Sequence, residues 1–200
     1  MSKIINKKEK KQKILQAAIK EFASKGFKAT KISSIAESAD IGKGTIYEYF
    51  KSKDELFHNA FNFFMDEINT VLAKKIYNIF DPVEKLSAFF DAWIEILESP
   101  LQNFMEVILD FWAEGIKNKQ ENISIDLKTM YQEYRLMIQN LLDDCMVENK
   151  SGKINTHLTS SIIIGALDGL MLQWIMDRDA FDLKTAIKWL GNIILDRIKY

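Results

Sequence analysis

Hydrophobic residues recur through most of this chain at intervals of three and four, the spacing that places them on one face of an α-helix. The first run extends from about Lys7 to Lys25 and places Ile14, Ala18 and Phe22 on one face. Gly26 follows, and glycine readily takes the left-handed conformation with which many helices end. Alternation of apolar and polar residues, typical of β-strands, is nowhere sustained in the sequence. The pattern therefore predicts an all-helical protein.

Capping and helix-breaking residues divide the rest of the chain into eight more predicted helices, about nine in all. Thr30 and Ser52 are placed to cap the second and fourth helices with their hydroxyl groups, and Pro82 fits the first turn of the fifth. The sixth helix is apolar around most of its circumference, which predicts a buried central helix. The predicted ranges are about 31–36, 43–50, 53–75, 82–98, 101–117, 124–148, 155–176 and 182–198.

Charge is divided unevenly along the chain. Residues 1–53 contain thirteen lysines and five acidic residues, a net charge of +8, and the remainder carries about −9 because the whole chain carries −1. A basic segment joined to an acidic one indicates that the first quarter binds a polyanion while the rest has another role. The alternative is a solvated, unbound lysine-rich tail between Lys3 and Lys13.

Two short helices separated by a turn are predicted between Ile32 and Phe50. Their apolar positions have the spacing at which two crossing helices bury side chains, and Ala36 is small where the helices approach closely. Those apolar positions are Ile35, Ala39, Ile41, Ile46 and Tyr49. A helix-turn-helix of this kind places its second helix in the major groove of DNA, which is wide enough for one α-helix.

The segment from Thr30 to Leu56 closely resembles the DNA-binding signature of the TetR/AcrR family of bacterial transcriptional regulators. The residues at the family's spacing are Ile35, Ala36, Lys43, Gly44, Thr45, Tyr47, Tyr49, Phe50 and Lys53 through Leu56. The resemblance implies an N-terminal three-helix DNA-binding domain, residues 1–53, followed by a helical regulatory and dimerisation domain, residues 54–200. It also implies a sequence-specific regulator, a repressor that a small-molecule inducer releases from its operator.

Two residues depart from the family's pattern. Asp40 stands where the family usually has glycine, and aspartate is among the few other residues that tolerate a left-handed turn. Glu48 is an acid on the recognition helix, where it opposes phosphates unless it accepts a hydrogen bond from a cytosine amino group. Glu48 is therefore expected to influence sequence preference.

The resemblance also implies which residues contact double-stranded DNA. These are Thr30, Ser33, Ser34, Lys43, Gly44, Thr45, Tyr47, Glu48, Tyr49 and Lys53. Hydroxyl and ammonium groups of this set hold the DNA backbone, while Gly44, Tyr47 and Glu48 lie nearer to base edges. From the residues alone, Tyr49 also fits a core position, and the two serines fit ordinary solvated positions.

A homodimer on a palindromic operator is expected, because one helix-turn-helix covers only a short half-site. The eighth and ninth helices carry small residues and apolar stripes that suit a four-helix interface across a two-fold axis, which is also where the family pairs. The expected interface residues are Ile162, Ala166, Gly169, Leu170, Leu183, Ile187, Leu190 and Ile194. The alternative for the same stripes is packing within one chain.

Aromatic residues are concentrated in helices four to eight, where the family holds its inducer pocket. The candidate ligand-binding residues are Phe89, Trp93, Phe104, Ile108, Phe111, Trp112, Tyr131, Tyr134 and Trp174. They favour an inducer, of unknown identity, that is largely apolar or aromatic, although aromatic residues at helical spacing more often form core. Glu106, Asp110 and Glu114 follow the polar stripe of the sixth helix and form either a solvated face or a cation-binding group beside a tryptophan.

No catalytic residue, cofactor or metal site is expected. Glu55 and His58 have half the spacing of a di-iron site, but the other histidine, His157, has no glutamate three residues before it. Cys145 is the single cysteine, so no internal disulfide is possible, and its apolar stripe favours a buried thiol over a reactive one. The remaining alternative is a non-specific nucleoid protein, which binds DNA without sequence preference.

A cytoplasmic protein without a membrane segment is expected. The basic N-terminus is followed by a segment that Lys20, Glu21 and Lys25 interrupt, unlike a signal peptide. The longest uncharged apolar stretch, 158–174, contains Asp168 and several other polar residues, which a membrane span would be expected to avoid.

Overall fold

The computed structural model describes residues 2–99, 107–110, 112–113, 126–148 and 154–199. Every regular element within these ranges is an α-helix, which confirms the predicted fold class. The helices are α1 (Ser2–Ala29), α2 (Ile32–Ser38), α3 (Lys43–Tyr47), α4 (Lys53–Ile76), α5 (Pro82–Glu98), α6 (the helical residues 107–110 and 112–113), α7 (Leu127–Glu148), α8 (Thr156–Met176) and α9 (Leu183–Lys199). Most of the predicted sixth helix and the predicted start of the seventh lie outside the described residues.

The chain divides into two compact units. The first comprises Met1–Glu67 and Asn103–Asp126, and the second comprises Ile68–Gln102 and Leu127–Tyr200. The first unit is larger than the segment 1–53 expected for the DNA-binding domain, because it includes the start of α4 and takes α6 from a distant part of the sequence. Helix α4 passes from the first unit to the second.

Three aromatic rings lie at the centre of the first unit. Phe22 of α1 packs edge-on against Phe57 of α4, with ring centroids 5.0 Å apart. Phe27 lies 4.4 Å from the same Phe57 ring. Such pairs stabilise a core by about 0.5–1.5 kcal/mol beyond the area that they bury. Ile14 and Ile46 are fully buried in the same unit, so α1, α3 and α4 all contribute to its core.

The end of α1 is determined by Gly26 and Thr30. Gly26 has φ 74° and ψ 163°, so its positive φ is as expected, but it lies in an extended region that glycine alone adopts readily, not in the left-handed helical region. The Thr30 hydroxyl donates to the Gly26 carbonyl at 2.7 Å or the Glu21 carbonyl at 3.0 Å. The prediction that Thr30 caps α2 is therefore wrong: the N-cap residue is Lys31, whose side chain makes no capping hydrogen bond.

The start of α4 is capped as predicted. The Ser52 hydroxyl accepts a hydrogen bond from the Glu55 N–H at 3.0 Å, and the Glu55 carboxylate accepts one from the Lys51 N–H at 2.7 Å. Each bond satisfies a backbone donor at the end of the helix, where no earlier carbonyl is available.

The second unit is a packed group of helices. Helix α5 packs against α7 and α9, and α8 packs against α7 and α9. Asp81 and Asn155 cap α5 and α8 by accepting from the N–H groups of Glu84 at 2.8 Å and Leu158 at 3.0 Å. Where α9 crosses α5, Gly191 lies so close to the ring of Phe90 that a Cβ atom there would be 2.9 Å from the ring Cγ.

Helix α8 is long and apolar enough, by length and composition only, to cross a membrane. Core helices of soluble proteins pass the same test, so the property is weak evidence for a span. One side of α8 is buried within the second unit through Ile163, Leu167 and Met171, while Leu158 and Ile162 on another side are exposed. The buried residues of α8 therefore lie on one face of the helix, and its exposed apolar residues lie on another.

Candidate nucleic-acid interface

The turn between α2 and α3 has the conformation that the sequence predicts. Asp40 is the one described non-glycine residue with positive φ, at 51°. The Ile41 N–H donates to the Ala36 carbonyl at 3.0 Å, which closes the turn behind α2. Ile35 of α2 and Ile46 of α3 are completely buried, so the two helices are held together by apolar packing. The result is a compact helix-turn-helix.

One face of this helix-turn-helix carries unburied polar groups. Lys43, Gly44 and Glu48 are exposed, and the Tyr47 ring is 50% exposed, which is unusual for a large aromatic side chain. A Cβ atom at Gly44 would meet nothing within 4 Å, so the backbone of α3 is open to close approach at this point. Ser33 is exposed, and Thr45 and Tyr49 are half-buried. The face offers ammonium, hydroxyl and phenol groups, the donors that hold DNA phosphates and base edges.

Lys53 has a structural role that its sequence position did not indicate. Its ammonium donates to the carbonyl of Phe27 at 2.8 Å, with the carbonyls of Thr30 and Lys28 at 3.2 and 3.3 Å. The same ammonium lies 4.5 Å from the centroid of the Phe27 ring. A lysine has three N–H donors, and here three carbonyl oxygens surround them. Lys53 thus joins the start of α4 to the end of α1, and a phosphate would have to displace these carbonyls.

Two hydroxyls expected at DNA are also engaged within the protein. Thr30 is 2% exposed, and its hydroxyl bonds back to α1, so it presents no donor to a phosphate. The half-buried Ser34 donates to the Lys31 carbonyl at 2.9 Å. Both residues were expected at DNA because their positions match the family signature. The signature does not determine which acceptor each hydroxyl group bonds to.

A second basic group beside α3 was not among the expected contacts. The Lys7 ammonium lies 6.0 Å from the centroid of the Tyr49 ring. The Lys11 ammonium lies 5.5 Å from the centroid of the Phe50 ring and 3.3 Å from Oδ1 of Asn59. The uneven charge was visible in the sequence, but the position of these lysines depends on how α1 crosses the end of α3.

Asp110 of α6 contacts the end of α1 within the first unit. Its carboxylate accepts a hydrogen bond from the Phe27 N–H at 2.9 Å, next to the conformational break at Gly26. Asp110 therefore has a backbone partner within the first unit that neither expectation, a solvated face or a cation-binding group, included. Glu106 and Glu114, its expected partners, lie outside the described residues.

The described aromatic candidates for ligand binding fall in both units. Ile108 and Trp112 belong to the first, Phe89, Trp93, Tyr131, Tyr134 and Trp174 belong to the second, and Phe104 and Phe111 lie outside the described residues. Phe89 is buried in the core, where packing alone accounts for it. The remaining residues of the second unit carry the polar groups that a ligand could use.

Three polar features stand out among the second unit's aromatic residues. The indole N–H of Trp93 is buried and has no hydrogen-bond partner within the described part of the chain. The Tyr131 hydroxyl donates to the Asp168 carboxylate at 2.8 Å, and the Tyr134 hydroxyl donates to Oδ1 of Asn69 at 3.0 Å. Burial raises the pKa of Asp168, and the hydrogen bond from Tyr131 offsets part of that increase. Asp168 was not expected as a site residue, because one acid on an apolar helix gives no signal of its partner.

The structure separates the expected dimer residues into buried and accessible sets. Leu183 and Ile187 are buried in the core of the second unit, so their stripe packs within the chain. Ile162 is 62% exposed, and Ala166, Gly169, Leu170, Leu190 and Ile194 are accessible to differing degrees. The exposed side of α9 carries Trp189, 64% exposed, and Ile193, neither of which was expected at an interface.

Within the described ranges, no three His, Cys, Asp or Glu side chains are grouped closely enough to hold a metal ion. The Nε2 atom of His58 lies 3.4 Å from the Asn62 amide, and its buried Nδ1 atom has no hydrogen-bond partner among the described residues. The Cys145 side chain is buried, as its position on an apolar stripe predicted.

Two family models match the chain in succession. Residues 14–60 match the model of bacterial regulatory proteins of the tetR family, and residues 82–198 match the C-terminal model of BetI-type transcriptional repressors. An uncharacterized HTH-type transcriptional regulator of Bacillus subtilis, YhgD, is 30% identical over 187 residues, which cover 88% of this chain and 90% of the relative. The similarity extends through both units.

Two solved structures share the fold. The first is a putative transcriptional regulator from Saccharomonospora viridis in complex with choline, with a TM-score of 0.82 and 18% identity over 94% of this chain and 96% of the other. The second is the regulator FadR from Bacillus subtilis in complex with stearoyl-CoA, with a TM-score of 0.71 and 21% identity over 94% and 96%. At these identities the likeness concerns the fold alone.

Proposed function

Since the chain belongs to the TetR family of bacterial regulatory proteins, we propose that it is a dimeric repressor that a small molecule releases from a palindromic operator. The observation that carries this proposal is the exposed polar face of α3, with Lys43, the open backbone at Gly44 and the half-exposed Tyr47 ring. Packing within the domain does not involve these exposed groups. The major groove of DNA is wide enough for an α-helix and presents hydrogen-bonding partners for such side chains.

The DNA contacts divide into phosphate binding and base recognition. Lys43 and Ser33 are exposed and carry donors suited to phosphates, which fix the position of the helix on the duplex. Tyr47 and Glu48 are exposed at the end of α3, where a carboxylate accepts from the amino group of cytosine. Thr30 and Lys53 are left out of this set, because the hydroxyl and the ammonium are bound to carbonyl oxygens.

Selection of binding sites from randomised duplexes tests the DNA-binding step directly. The full chain is expected to enrich one inverted repeat and to retain it against excess non-specific competitor DNA. Lys43→Gln should weaken binding to all sequences and reduce the slope of log K against log salt by about 0.9 per head. Lys74→Gln, an exposed lysine of the second unit, is the matched control with the same loss of charge. Enrichment of no sequence would support a nucleoid-type protein instead.

The dimer interface is proposed on the exposed apolar residues of α8 and α9. Ile162, Trp189 and Ile193 are each more than half exposed, and a Cβ at Gly165 or Gly169 would meet nothing within 4 Å. Small residues on an exposed apolar face allow two helices to approach closely, as a self-complementary two-fold interface requires. This assignment replaces the buried Leu183 and Ile187 with residues that a partner can reach.

Light scattering tests the interface. Ile162→Glu and Trp189→Glu should each convert a dimer to a monomer at micromolar concentration, because they place a charge in an apolar contact. Leu136→Glu is the control, since Leu136 is 59% exposed on α7. A parent chain that is monomeric at these concentrations, or equal effects of all three substitutions, would contradict the interface.

Ligand binding is proposed in the second unit, which corresponds to the match with BetI-type repressors. The support is chemical: a buried indole N–H with no partner among the described residues and a partly buried carboxylate with a phenol donor both lie in this unit. Ligand sites commonly combine apolar walls with a few such polar groups. The structural neighbours hold ligands as different as choline and stearoyl-CoA, so the chemistry of this chain's own residues has to identify its inducer.

Release from DNA requires that the inducer binds better to one conformation of the dimer than to the DNA-bound one. In that conformation the two DNA-binding domains no longer match the spacing of the half-sites. Helix α4 is continuous from the first unit to the second, and α6 is bonded to the end of α1 through Asp110. We expect a movement of α4 to transmit the change in the second unit to the DNA-binding domain. Choline and stearoyl-CoA are the first probes: a ligand should raise the thermal midpoint and reduce operator binding together. A compound that stabilises the chain without releasing operator DNA would contradict induction by that compound.

A further inference from the structure

Residues 7–13 of α1 form a basic helical segment. They contain five lysines and one glutamate and are all exposed, whereas the next residue, Ile14, is buried. The helix nevertheless continues through this segment as part of α1, with no break before Gly26. Packing within the chain therefore does not account for a helix here.

The arrangement of charge in this segment is unfavourable in the isolated protein. Lys7 and Lys11 are four residues apart on one face, and like charges at this spacing repel each other. The first turn of α1 holds no acidic residue, so nothing offsets the positive end of the helix dipole. A bound polyanion relieves both effects, because it neutralises the lysines and interacts favourably with the dipole.

These lysines lie beside the recognition helix. The Lys7 ammonium is 6.0 Å from the Tyr49 ring centroid, and the Lys11 ammonium is 5.5 Å from the Phe50 ring centroid. Both rings follow directly after α3. An ammonium group has three N–H donors, and Lys11 gives one of them to Oδ1 of Asn59 at 3.3 Å, so it keeps donors for another partner. The basic face of α1 is therefore next to the proposed DNA surface.

We propose that Lys7 and Lys11, with their neighbours Lys8 and Lys10, form a second DNA contact that binds phosphates of the duplex flanking each half-site. This inference rests on the proposed DNA-binding function and extends it beyond the helix-turn-helix. The contact is independent of sequence, because ammonium groups on phosphates carry no base information. It supplies affinity and salt dependence, while α3 supplies sequence preference.

The test is a salt titration of DNA binding by the full-length double variant Lys7→Gln/Lys11→Gln. Glutamine keeps the helix propensity close to that of lysine, so helix loss is avoided. The slope of log K against log salt should fall by about 0.9 for each lysine that no longer binds a phosphate, or about 1.8 for each bound head. The ratio of affinities for operator and random DNA should stay the same. Lengthening the duplex beyond the half-sites should strengthen binding by the parent and not by the variant.

Two further variants separate this contact from general electrostatics and from folding. Lys20→Gln/Lys28→Gln removes the same charge from exposed positions farther along the first unit and should keep the parent slope. Lys7→Arg/Lys11→Arg keeps the charge and should also keep it. The glutamine variant should melt at the parent temperature or above, because a repulsive pair has been removed.

The outcomes distinguish the two proposals. A parent that binds operator DNA while Lys7→Gln/Lys11→Gln keeps its full salt slope overturns the flanking contact alone. Equal loss of slope in the two glutamine variants overturns it as well, since the effect is then one of net charge. A parent that binds no duplex overturns the proposed function and, with it, this extension.

Discussion

Gly26 has an unusual backbone conformation and lies beside Asp110. Its φ of 74° and ψ of 163° lie in a region that side-chain-bearing residues rarely occupy. A Cβ atom there would lie 3.4 Å from Oδ2 of Asp110, whose carboxylate accepts from the Phe27 N–H. Glycine at this position lets α1 end where Asp110 and Lys53 can both reach the exposed backbone.

Gly26→Ala should destabilise the chain by about 1–3 kcal/mol, the cost of holding an L-residue in such a region. Gly44→Ala is the matched control, because Gly44 lies in α3 with no positive φ and with open space where the alanine methyl group would lie. Chemical denaturation measures both. If Gly26→Ala were as stable as Gly44→Ala, the backbone at Gly26 would not be constrained as described.

Asp168 should make stability depend on pH in the direction opposite to most carboxylates. Burial raises its pKa, so the folded chain binds the proton more tightly than the unfolded chain, and stability falls as pH rises through the folded pKa. Asp168→Asn removes the charge but keeps an oxygen for the Tyr131 hydroxyl. Its thermal midpoint should exceed the parent's at pH 7, and the difference should shrink as the pH falls toward about 4.

Asp182 provides the control of opposite sign. Its side chain accepts from Thr185, which lowers its pKa, so its contribution to stability is present at neutral pH and lost in acid. Asp182→Asn should therefore lose stability relative to the parent at pH 7 and not in acid. The same pH trend for both variants would contradict the assigned environment of Asp168.

Residues whose partners are close in sequence were predictable. Asp40 was expected to tolerate a left-handed turn and does so, and Ser52 caps α4 three residues before its donor. Lys53 was not predictable, because the nearest carbonyl it binds lies 23 residues earlier in the chain. The partner of Asp110 was not predictable for the same reason, since Phe27 is 83 residues away.

At the scale of elements, Lys53 adds a polar connection to the aromatic packing between α1 and α4. Lys53 holds the carbonyls at the end of α1, so Lys53→Gln should destabilise the chain by about 1–3 kcal/mol through unsatisfied backbone acceptors. Its salt slope for DNA binding should stay at the parent value. Lys43→Gln should show the reverse, with unchanged stability and a lower slope. If Lys53→Gln lowered the salt slope of DNA binding without lowering the free energy of unfolding, the result would support the phosphate contact that the resemblance implied for Lys53.

Helices α5 and α9 approach each other through Gly191. A methyl group there would lie 2.9 Å from the Phe90 ring, so Gly191→Ala should cost about 1–3 kcal/mol by overpacking. The double variant Gly191→Ala/Phe90→Leu should recover part of this loss, because a smaller side chain gives the methyl group room. Additive effects of the two substitutions in denaturation experiments would exclude a direct clash.

Helix positions followed well from hydrophobic periodicity, but the choice between core and interface did not. Leu183 and Ile187 are as apolar as Trp189 and Ile193, yet the first pair is buried and the second is exposed. A stripe reveals that a helix has an apolar face without revealing whether that face meets its own chain or another. Helix α9 has apolar residues on both sides, so its sequence alone left the two interpretations open.

At the scale of the whole molecule, the two compact units do not correspond to two consecutive stretches of sequence. The predicted boundary after residue 53 lies at the start of the predicted fourth helix, whereas the first unit continues to Glu67 and includes Asn103–Asp126. No local signal in the sequence assigns α6 to the first unit, because its apolar circumference fits any buried position. Charge partition identified the DNA-binding end without identifying this extra helix.

The separation of α6 from the rest of the first unit has a consequence for synthesis on the ribosome. Asp110 is synthesised only after α5. The Phe27 N–H therefore lacks its acceptor until the ribosome has added the 83 residues that follow Phe27. A fragment ending at Glu67 should therefore be less protected in hydrogen exchange at the end of α1 than the full chain. Newly made chains would then complete the first unit late, after α5 of the second unit has been made.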